Sequence, residues 1–329
     1  MSVPMMKAAC LNAHEGLEHL VYQEVPRPQP GTGEVLVQVH ATAITPTEVS
    51  WSPTWKTATG ADRPFPIILG HEFSGIVTAL GPGVARLADA PEAITDGMVV
   101  YGMNDWDRQG ADAEYCLARP DQLAPKPRSL DDVQAAVVPI SGLTAWQALF
   151  EHAQLAAGQR VLIHGATGGV GSFAVQLAHG KGAHTIGTTS TRHAAFAREL
   201  GADEVVDYTT TRFDETVHDV DVVLDTVGGD TPERSWEVLK PGGVLISIVA
   251  PPPDSAAKRR ATAAGIRSIF FVVEPKQAQL VELGHLLDAG QIRPVVAAVY
   301  ALEQAREAYT RGQEQHQPGK VVLHVDRVS

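Results

Sequence analysis

The stretch that decides the fold is Val161-Leu162-Ile163-His164-Gly165-Ala166-Thr167-Gly168-Gly169-Val170-Gly171-Ser172-Phe173-Ala174-Val175-Gln176-Leu177-Ala178. It begins with an apolar, partly β-branched run, continues through a glycine-rich turn, and ends with apolar residues spaced as on one helix face. The pattern predicts a strand, a glycine turn and a helix. In such a unit, Gly168 and Gly171 let the backbone approach a pyrophosphate, which faces the N–H groups of the first helical turn. The glycine spacing is looser than the usual dinucleotide fingerprint, so the interpretation also depends on the neighbouring segments.

The segments on both sides of this stretch alternate between strand and helix patterns. The predicted elements are strand 161–164, helix 169–180, strand 184–188, helix 192–200, strand 204–207, strand 220–225, helix 231–239, strand 243–249 and strand 267–273. Six strands joined largely by helices predict a doubly wound parallel sheet. A helical stretch over 130–157 is expected before them, with Ser129 and Asp132 as its capping pair.

The first part of the chain, from Lys7 to about Lys126, consists of short strand patterns broken by glycine and proline. Residues 34–40 alternate with valines on one face, and Gly81-Pro82-Gly83 turns the chain. This pattern predicts a compact β-barrel-like domain. Prolines in the segment 121–128 mark its boundary, and the last part of the chain adds two helical stretches and a final strand over 321–325.

The composition is that of an ordinary globular protein, and its 329 residues are enough for two domains. The net charge is −12, from 26 basic and 38 acidic side chains. The only basic cluster is Lys258-Arg259-Arg260, which we interpret as a solvated loop. Phosphate binding draws on clustered lysine and arginine, so the balance argues against nucleic acid as a main partner.

The cysteine content and the lack of long apolar runs bear on where in the cell the protein is expected. Cys10 and Cys116 are too few for a disulfide framework or a structural zinc cluster, which fits a reducing environment. Residues 1–7 lack the apolar core of a signal peptide, and no apolar run approaches the roughly 18 residues of a membrane span. We therefore expect a cytoplasmic protein with no membrane partner and inert, buried thiols.

Further motifs lie along nearly the whole chain. They are Gly70-His71-Glu72 followed by Gly75 and Gly81-Pro82-Gly83-Val84, Gly142-Leu143-Thr144-Ala145-Trp146, the turn at 165–171, Leu200-Gly201-Ala202-Asp203 with Asp207-Tyr208, Asp225-Thr226-Val227-Gly228-Gly229, and Gly319-Lys320-Val321-Val322. In this order and spacing they resemble the medium-chain dehydrogenase/reductase superfamily, in particular its zinc-free quinone oxidoreductase branch.

The resemblance implies an α/β protein with a GroES-like β-barrel catalytic domain over 1–126 and a doubly wound, parallel-sheet Rossmann domain over 127–273 that binds the cofactor. A C-terminal segment, 274–329, is expected to return to the catalytic domain, with the active site in the cleft between the domains. The resemblance also implies a homodimer. The apolar run 266–273 at the far edge of the Rossmann sheet supports this, because an exposed edge strand invites pairing.

The zinc ligands of other superfamily members are missing. Zinc-dependent relatives have cysteine where this chain has Thr45 and again where it has Ile140, so only His71 of that set remains. The cysteine-rich lobe that binds a structural zinc is also missing. A lone histidine cannot hold a catalytic Zn²⁺. We therefore expect a zinc-independent protein and interpret His71 as structural. At the position of Thr45, quinone oxidoreductases commonly have asparagine, so this chain departs from their pattern there.

The residues after the second predicted Rossmann strand favour NADPH over NADH. NAD-selective folds place an acidic residue about 20 positions after the first glycine, to hold the ribose 2′-hydroxyl. Here residues 187–193 contain no acid, and we expect Ser190 and Arg192 to bind a 2′-phosphate, with Tyr208 added to this pocket by the resemblance. The other predicted cofactor contacts are Thr167, Gly168, Gly169, Val170, Gly171, Val227, and the backbone around Phe270 and Val272, which the resemblance assigns to the carboxamide.

These observations predict a zinc-independent, NADPH-dependent reductase that transfers hydride to a small-molecule quinone or α,β-unsaturated carbonyl compound. By resemblance, Thr45 and Thr144 donate hydrogen bonds to the developing oxyanion, and solvent completes protonation without an obligatory general acid. Two alternatives stay open. One is an enoyl or alkenal reductase of a biosynthetic intermediate, and the other is a cofactor-binding protein with no relevant turnover.

Some single residues have a plainer interpretation. Asp225 is expected to be a turn residue rather than a catalytic acid, and Tyr101 and Tyr115 are expected to pack in the core. For the loop tryptophans, substrate stacking and simple packing remain equally open. Those tryptophans are Trp51, Trp55 and Trp106.

Overall fold

The computed structural model describes residues 3–14, 16–57, 59–84, 93–314 and 317–325. The chain folds into two compact units. The first comprises Met1–Ile140, Pro275–Gly290 and Pro294–Ser329, and the second comprises Ser141–Glu274 and Gln291–Arg293. The sequence placed the first boundary at 126, whereas the first unit extends to Ile140, because the segment after 126 packs on strands of that unit.

The strands of the described residues are given in chain order. They are β1 (Met5–Leu11), β2 (Leu20–Pro26), β3 (Val35–Ala43), β4 (Ile67–Ile68), β5 (Glu72–Leu80), β6 (Val99–Met103), β7 (Tyr115–Ala118), β8 (Leu123–Pro125), β9 (Arg160–Ile163), β10 (His184–Thr189), β11 (Glu204–Asp207), β12 (Val220–Asp225), β13 (Leu239–Ser247), β14 (Arg267–Phe270), β15 (Val296–Ala301) and β16 (Lys320–His324).

The α-helices of the described ranges are four to twelve residues long. They are α1 (Ser52–Trp55), α2 (Asp132–Ala136), α3 (Pro139–Trp146), α4 (Gly169–Gly180), α5 (Ala194–Glu199), α6 (Phe213–Thr216), α7 (Thr231–Ser235), α8 (Ala256–Ala263), α9 (Gln277–Asp288) and α10 (Ala305–Gln313). A π-helical segment, Gln147–His152, follows α3 directly.

The described residues of the first unit form two β-sheets. The larger has the order β15-β16-β3-β5-β6-β8, with β7 also pairing with β3, and the smaller has the order β2-β1-β4. The C-terminal strand β16 runs antiparallel to β3, with Val322 opposite Ala43. The largest core cluster of this unit includes Phe73 and Leu323, so residues from both ends of the chain form one interior.

The second unit is built on the predicted parallel sheet, which is confirmed. Its six strands have the order β11-β10-β9-β12-β13-β14, and every neighbouring pair is parallel. The β9 strand, the turn and α4 follow the prediction to within one residue, because the hydrophobic period changes from strand to helix at the glycines. Leu162 and Leu245 pack in the core on one side of this sheet.

The predicted helix over 130–157 is wrong as a single element. It divides into α2, α3 and the π-helical segment, and Pro139 begins α3, where its missing N–H costs no intrahelical bond. The cap also differs from the expected Ser129. Asp131 caps α2 by accepting the Gln134 N–H at 2.7 Å, while the Gln134 side chain accepts the Asp131 N–H at 3.2 Å.

The basic triplet at 258–260 lies on helix α8 and not on the predicted loop. Its charges are solvated and paired, since Arg259 contacts Asp254 at 3.1 Å and Arg260 contacts Glu237 at 3.0 Å. No helix within the described ranges is both long and apolar enough to cross a membrane.

The predictions for the cysteines and for Tyr101 are confirmed. Cys10 and Cys116 are buried free thiols, and burial raises the pKa of Cys10 to about 11 and that of Cys116 still higher. Tyr101 is fully buried, and its hydroxyl donates to the Leu280 carbonyl. Tyr115 is half-buried and packs at the edge of a small core cluster, with the Arg27 guanidinium 4.9 Å from its ring centre.

Candidate functional site

The glycine turn of the second unit brings backbone into close contact. Gly165 has φ +68°, a left-handed value that favours glycine, and a Cβ added at Gly171 would lie 2.0 Å from the Gly165 carbonyl oxygen. Gly168 is the N-cap of α4 and supplies no side-chain cap, while Gly168, Gly169 and Val170 remain partly exposed. The turn therefore presents the first N–H groups of a twelve-residue helix to an anion.

The threonine beside this turn is held by the neighbouring strand. Thr167 is 7% exposed, and its hydroxyl lies 3.1 Å from that of Thr189 at the end of β10. His164 is buried beneath the turn, where its ring nitrogens contact Thr188 at 3.2 Å and Ser235 at 3.1 Å. Burial lowers the pKa of His164 to about 3, so the imidazole is neutral and supports the turn structurally.

The residues predicted to bind a 2′-phosphate lie on the same edge of the sheet. Ser190 follows β10, Tyr208 follows β11, and the two strands are parallel neighbours with Thr189 opposite Asp207. Ser190 is 7% exposed, and its hydroxyl has no hydrogen-bond partner among the described residues. Arg192 is exposed in the short turn that follows. A buried hydroxyl without a partner next to an exposed guanidinium fits a phosphate oxygen.

Sequence reasoning missed the carboxylate of Asp207 at this edge. Thr191 donates to one of its oxygens, and the Thr209 hydroxyl donates to the other at 2.6 Å. These hydrogen bonds, that of Thr191 first, hold the pKa of the Asp207 carboxyl below its usual range. The acid ends β11 rather than β10, so the search for an acid after the second strand did not include it.

Asp225 is confirmed as a turn residue. Its carboxylate accepts the N–H groups of Val227 at 3.0 Å and Gly228 at 2.9 Å, and the Ser247 hydroxyl at 3.0 Å. These bonds occupy both carboxylate oxygens. They hold Val227, whose side chain is 57% exposed, at the carboxyl end of β12 beside the glycine turn.

The chain after β14 is anchored to the π-helical segment. The buried Gln147 side chain donates to the Glu274 carbonyl at 2.7 Å and accepts the Glu274 N–H at 3.2 Å. Phe270 and Val272 lie just before this anchor and are 37% and 39% exposed. The predicted cofactor residues of this unit therefore follow the carboxyl ends of its parallel strands, which is where doubly wound folds bind nucleotides.

In the first unit, Thr45 lies two residues beyond β3 and is half-buried. The Lys320 ammonium donates to the Thr45 hydroxyl at 3.4 Å and also contacts the Glu72 carboxylate. Glu72 is fully buried, and its other oxygen accepts the N–H of Ile140, in the first turn of α3, at 2.9 Å. Burial raises the pKa of Glu72, and the Lys320 charge opposes that shift.

His71 is 1% exposed, and its tautomer follows from its neighbours. Asn104 donates both side-chain hydrogens, to Gln109 at 3.1 Å and Leu117 at 3.4 Å, so its oxygen is the acceptor that faces His71 Nδ1 at 2.9 Å. His71 Nδ1 therefore carries the hydrogen. Burial lowers the pKa of His71 to about 4, which leaves a neutral ring beside Trp106, at 4.9 Å between ring centres.

These residues do not fit a zinc ion. Within the described ranges, no group of three or more histidine, cysteine, aspartate or glutamate side chains is placed to hold a metal. The Thr45 hydroxyl is next to an ammonium group, which repels a cation, and the Ile140 side chain has no ligand atom. His71 alone offers an imidazole here, which is too few ligands for Zn²⁺.

The buried carboxylates of this unit were also missed from the sequence. Glu48 is fully buried and accepts the Gly70 N–H at 2.8 Å, and Asp112 is fully buried between the hydroxyls of Thr42 and Tyr309. Burial raises the pKa of Glu48 to about 8 and that of Asp112 to about 6. Nothing local in the sequence distinguishes them from surface acids.

The second predicted oxyanion donor, Thr144, lies in α3 in the other compact unit and is 5% exposed. Of the loop tryptophans, Trp55 is 8% exposed in the first unit's core. Trp51 packs edge-on against Trp106 with ring centres 4.8 Å apart.

Comparison with known proteins shows two family matches. Residues 31–128 match the alcohol dehydrogenase GroES-like domain, and residues 200–323 match the family described as zinc-binding dehydrogenase. The chain is 33% identical to a probable zinc-binding oxidoreductase, mitochondrial, of Arthroderma benhamiae, with 93% of both chains covered. It is 31% identical to the 2-methylene-furan-3-one reductase of Solanum lycopersicum, with 88% of this chain and 71% of that protein covered.

Among solved structures, the quinone oxidoreductase of Coxiella burnetii superposes with a TM-score of 0.86 at 30% identity. The match covers 98% of this chain and 100% of that one. The predicted combination of a GroES-like N-terminal domain and a Rossmann-type parallel sheet is therefore confirmed.

Proposed function

Because the chain belongs to the medium-chain dehydrogenase/reductase superfamily, in its quinone oxidoreductase-like branch, we propose that it is a zinc-independent, NADPH-dependent reductase of quinones or α,β-unsaturated carbonyl compounds. That it is an oxidoreductase with a nicotinamide cofactor follows from the family. The observation that carries the finer proposal is the set of groups around Thr45, where the two cysteine positions of zinc-dependent relatives are Thr45 and Ile140 and the Lys320 ammonium lies beside the Thr45 hydroxyl.

The residues of the second unit fit NADPH. The close approach of Gly171 to Gly165 leaves room for a pyrophosphate over the turn, and the unpaired Ser190 hydroxyl and exposed Arg192 suit a 2′-phosphate. Bound NADPH would supply the hydride that an electrophilic carbon of the substrate accepts, leaving NADP⁺, and one proton from solvent would balance the reaction.

The protein residues then act on the developing charge. Thr45 and Thr144 are proposed to donate neutral hydrogen bonds to the oxyanion. With no metal to polarise a carbonyl, a carbon that is already electrophilic reacts best, which favours quinones and the β-carbon of enones over simple ketones. The names of the tomato relative and the Coxiella structure support this substrate class.

A substrate panel tests the proposal. NADPH oxidation should be fast with a small quinone or an enone and slow with a simple ketone or an aldehyde. Preference for simple ketones would contradict the substrate class. Tight NADPH binding with no turnover on any of them would favour the non-catalytic alternative, and exclusive use of enoyl substrates would favour a biosynthetic enoyl or alkenal reductase.

Elemental analysis tests the metal part separately. We expect no zinc in the purified protein and no loss of activity with a chelator. Stoichiometric zinc, together with activity lost on chelation, would overturn the proposed zinc independence. The measurement is necessary because the matched family and the Arthroderma relative are both described as zinc-binding.

We also propose a homodimer in the cytoplasm, with a small-molecule substrate and no nucleic-acid or membrane partner. The edge strand β14, in which Phe270 is 37% exposed, supports pairing. The two free cysteines support the location in the cytoplasm, and the charge of −12 argues against a nucleic-acid partner. Light scattering that shows a stable monomer at dilute concentration would contradict the dimer, and cell fractionation tests the location.

A further inference from the structure

We propose that Lys320 is a positioning residue for the reduction: its ammonium group orients the Thr45 hydroxyl and adds positive charge to the hydrogen bond that this hydroxyl gives to the substrate oxygen. The inference rests on the proposed function, because it assigns Lys320 to the step in which Thr45 acts. It adds to that function a source of positive charge next to the Thr45 hydroxyl.

The fold fixes the distance between the two side chains. Lys320 is the first residue of β16, and β16 pairs with the last residues of β3, just before Thr45. Gly319 before it has φ +81°, and a Cβ there would lie 2.1 Å from the Val295 carbonyl oxygen. The turn into β16 is therefore restricted to glycine, and the start of the strand is held beside Thr45.

Hydrogen-bond chemistry then sets the direction of the Thr45 hydroxyl. An ammonium group can only donate, so the Thr45 oxygen accepts the 3.4 Å bond from Lys320. The single hydrogen of the Thr45 hydroxyl is then directed to another acceptor. A substrate carbonyl oxygen that gains negative charge is such an acceptor, and Thr45 is half-buried rather than closed off.

The surroundings make this charge effective. The Lys320 side chain is 10% exposed and its partner Glu72 is 0% exposed, so water screens the ammonium weakly. Glu72 gives the ammonium its counter-charge, while its second oxygen is engaged by the Ile140 N–H at 2.9 Å. If Lys320 and Glu72 only stabilised the fold, the contact between them would be sufficient. The additional hydrogen bond from Lys320 to Thr45 is what links the ion pair to the proposed reaction.

The test removes both charges together, because a buried charge left without its partner destabilises a protein. We expect Lys320→Met combined with Glu72→Gln to lower kcat by about 5- to 30-fold, no more than the loss expected for Thr45→Val, because the pair acts through that hydroxyl. KM, the NADPH dissociation constant and the thermal unfolding midpoint should change little. Lys320→Arg, which keeps the charge, should retain most of the parental kcat. Lys126→Met, at another largely buried lysine of the same unit, should leave kcat unchanged.

A second cycle tests whether Lys320 acts through Thr45. In a Thr45→Val background, removal of the Lys320–Glu72 pair should slow turnover no further, because the hydroxyl it orients is gone. An equal loss in both backgrounds would overturn the inference, as would a double variant with the parental rate. If the parental protein does not turn over quinones or enones, the proposed function itself fails. If the parental protein is active but the Lys320 variants behave otherwise than expected, only the Lys320 inference fails.

Discussion

The Tyr309 hydroxyl donates a 2.8 Å hydrogen bond to the Asp112 carboxylate, across 197 positions of the chain. Both side chains are fully buried, and the Thr42 hydroxyl lies 3.0 Å from the other carboxylate oxygen. The contact joins α10 to the segment before β7. It gives the buried acid a second hydroxyl partner besides Thr42.

Tyr309→Phe should therefore lower the free energy of unfolding by about 1–3 kcal/mol, since the carboxylate loses a donor that water cannot replace. Chemical denaturation at neutral pH measures the loss of unfolding free energy from the transition of the first unit. Tyr300→Phe is the control, because Tyr300 is only partly buried at the edge of the same core. A smaller effect for Tyr309→Phe than for Tyr300→Phe would show that the hydrogen bond does not stabilise the fold.

Glu48 should make stability fall as pH rises. Burial first, and the Asp112 charge second, raise its pKa from 4.5 to about 8. Between these values the folded protein keeps a proton that the unfolded chain has lost, so the free energy of unfolding decreases as pH rises through this window. Glu48→Gln should flatten that slope.

Denaturation at about pH 5 and about pH 8 measures the Glu48 effect, with the slope as the readout. Glu18→Gln, at a side chain that is 71% exposed, is the control and should leave the slope as it is. An unchanged slope in Glu48→Gln would mean that Glu48 is ionised in the folded protein.

Gly171→Ala should disrupt the nucleotide turn. The added Cβ would lie 2.0 Å from the Gly165 carbonyl oxygen, so the turn has to open. NADPH binding should weaken by more than about tenfold, which corresponds to about 1.4 kcal/mol. Gly180→Ala, on the same helix with open space around its Cβ, is the matched control and should bind NADPH as the parent does. Titration calorimetry compares the two variants, and equal affinities would contradict the role of the turn.

Arg192→Ala should separate the two nicotinamide cofactors. If its guanidinium binds the 2′-phosphate, NADPH affinity falls by roughly 10- to 100-fold while NADH affinity is nearly unchanged. Arg198→Ala, at an exposed arginine of the next helix, should affect neither. Fluorescence titration with both cofactors measures the ratio, and equal losses for NADPH and NADH would remove Arg192 from this role.

Thr45→Val and Thr144→Val should each slow turnover by about 5- to 30-fold, because one neutral donor contributes about 1–2 kcal/mol and other donors remain. Thr47→Val, at an exposed neighbour, is the control. Steady-state kinetics with saturating NADPH provide the measurement. A loss above about a thousandfold with NADPH binding intact would mean that the threonine belongs to a dedicated proton relay.

The nucleotide-type sheet was predictable because its signals are local. Hydrophobic period and glycine placement mark β9, the turn and α4 within some twenty residues, and parallel strands then bring Ser190 and Tyr208 to one edge. Their roles toward a cofactor remain predictions. Asp207 lies in a family motif but was given no role, because strand neighbours, not sequence spacing, bring it to this edge.

The site around Thr45 was not predictable in the same way. Lys320 lies 275 positions from Thr45 and 248 from Glu72, and a lysine at the start of a strand has no local sign of burial. The helix cap failed for a different reason. The predicted cap was Ser129, but the helix begins later, and the charged Asp131 accepts the free N–H of Gln134.

The pairing of β16 with β3 also orders events during synthesis. A ribosome finishes β3 and the whole second unit, Ser141–Glu274 and Gln291–Arg293, before it adds Lys320, which follows Thr45 by 275 residues. The nucleotide-type unit is thus translated in full while the first sheet still lacks β16. Thr45 gains its ammonium neighbour only when that late strand docks, so this contact forms after most of the chain has been synthesised.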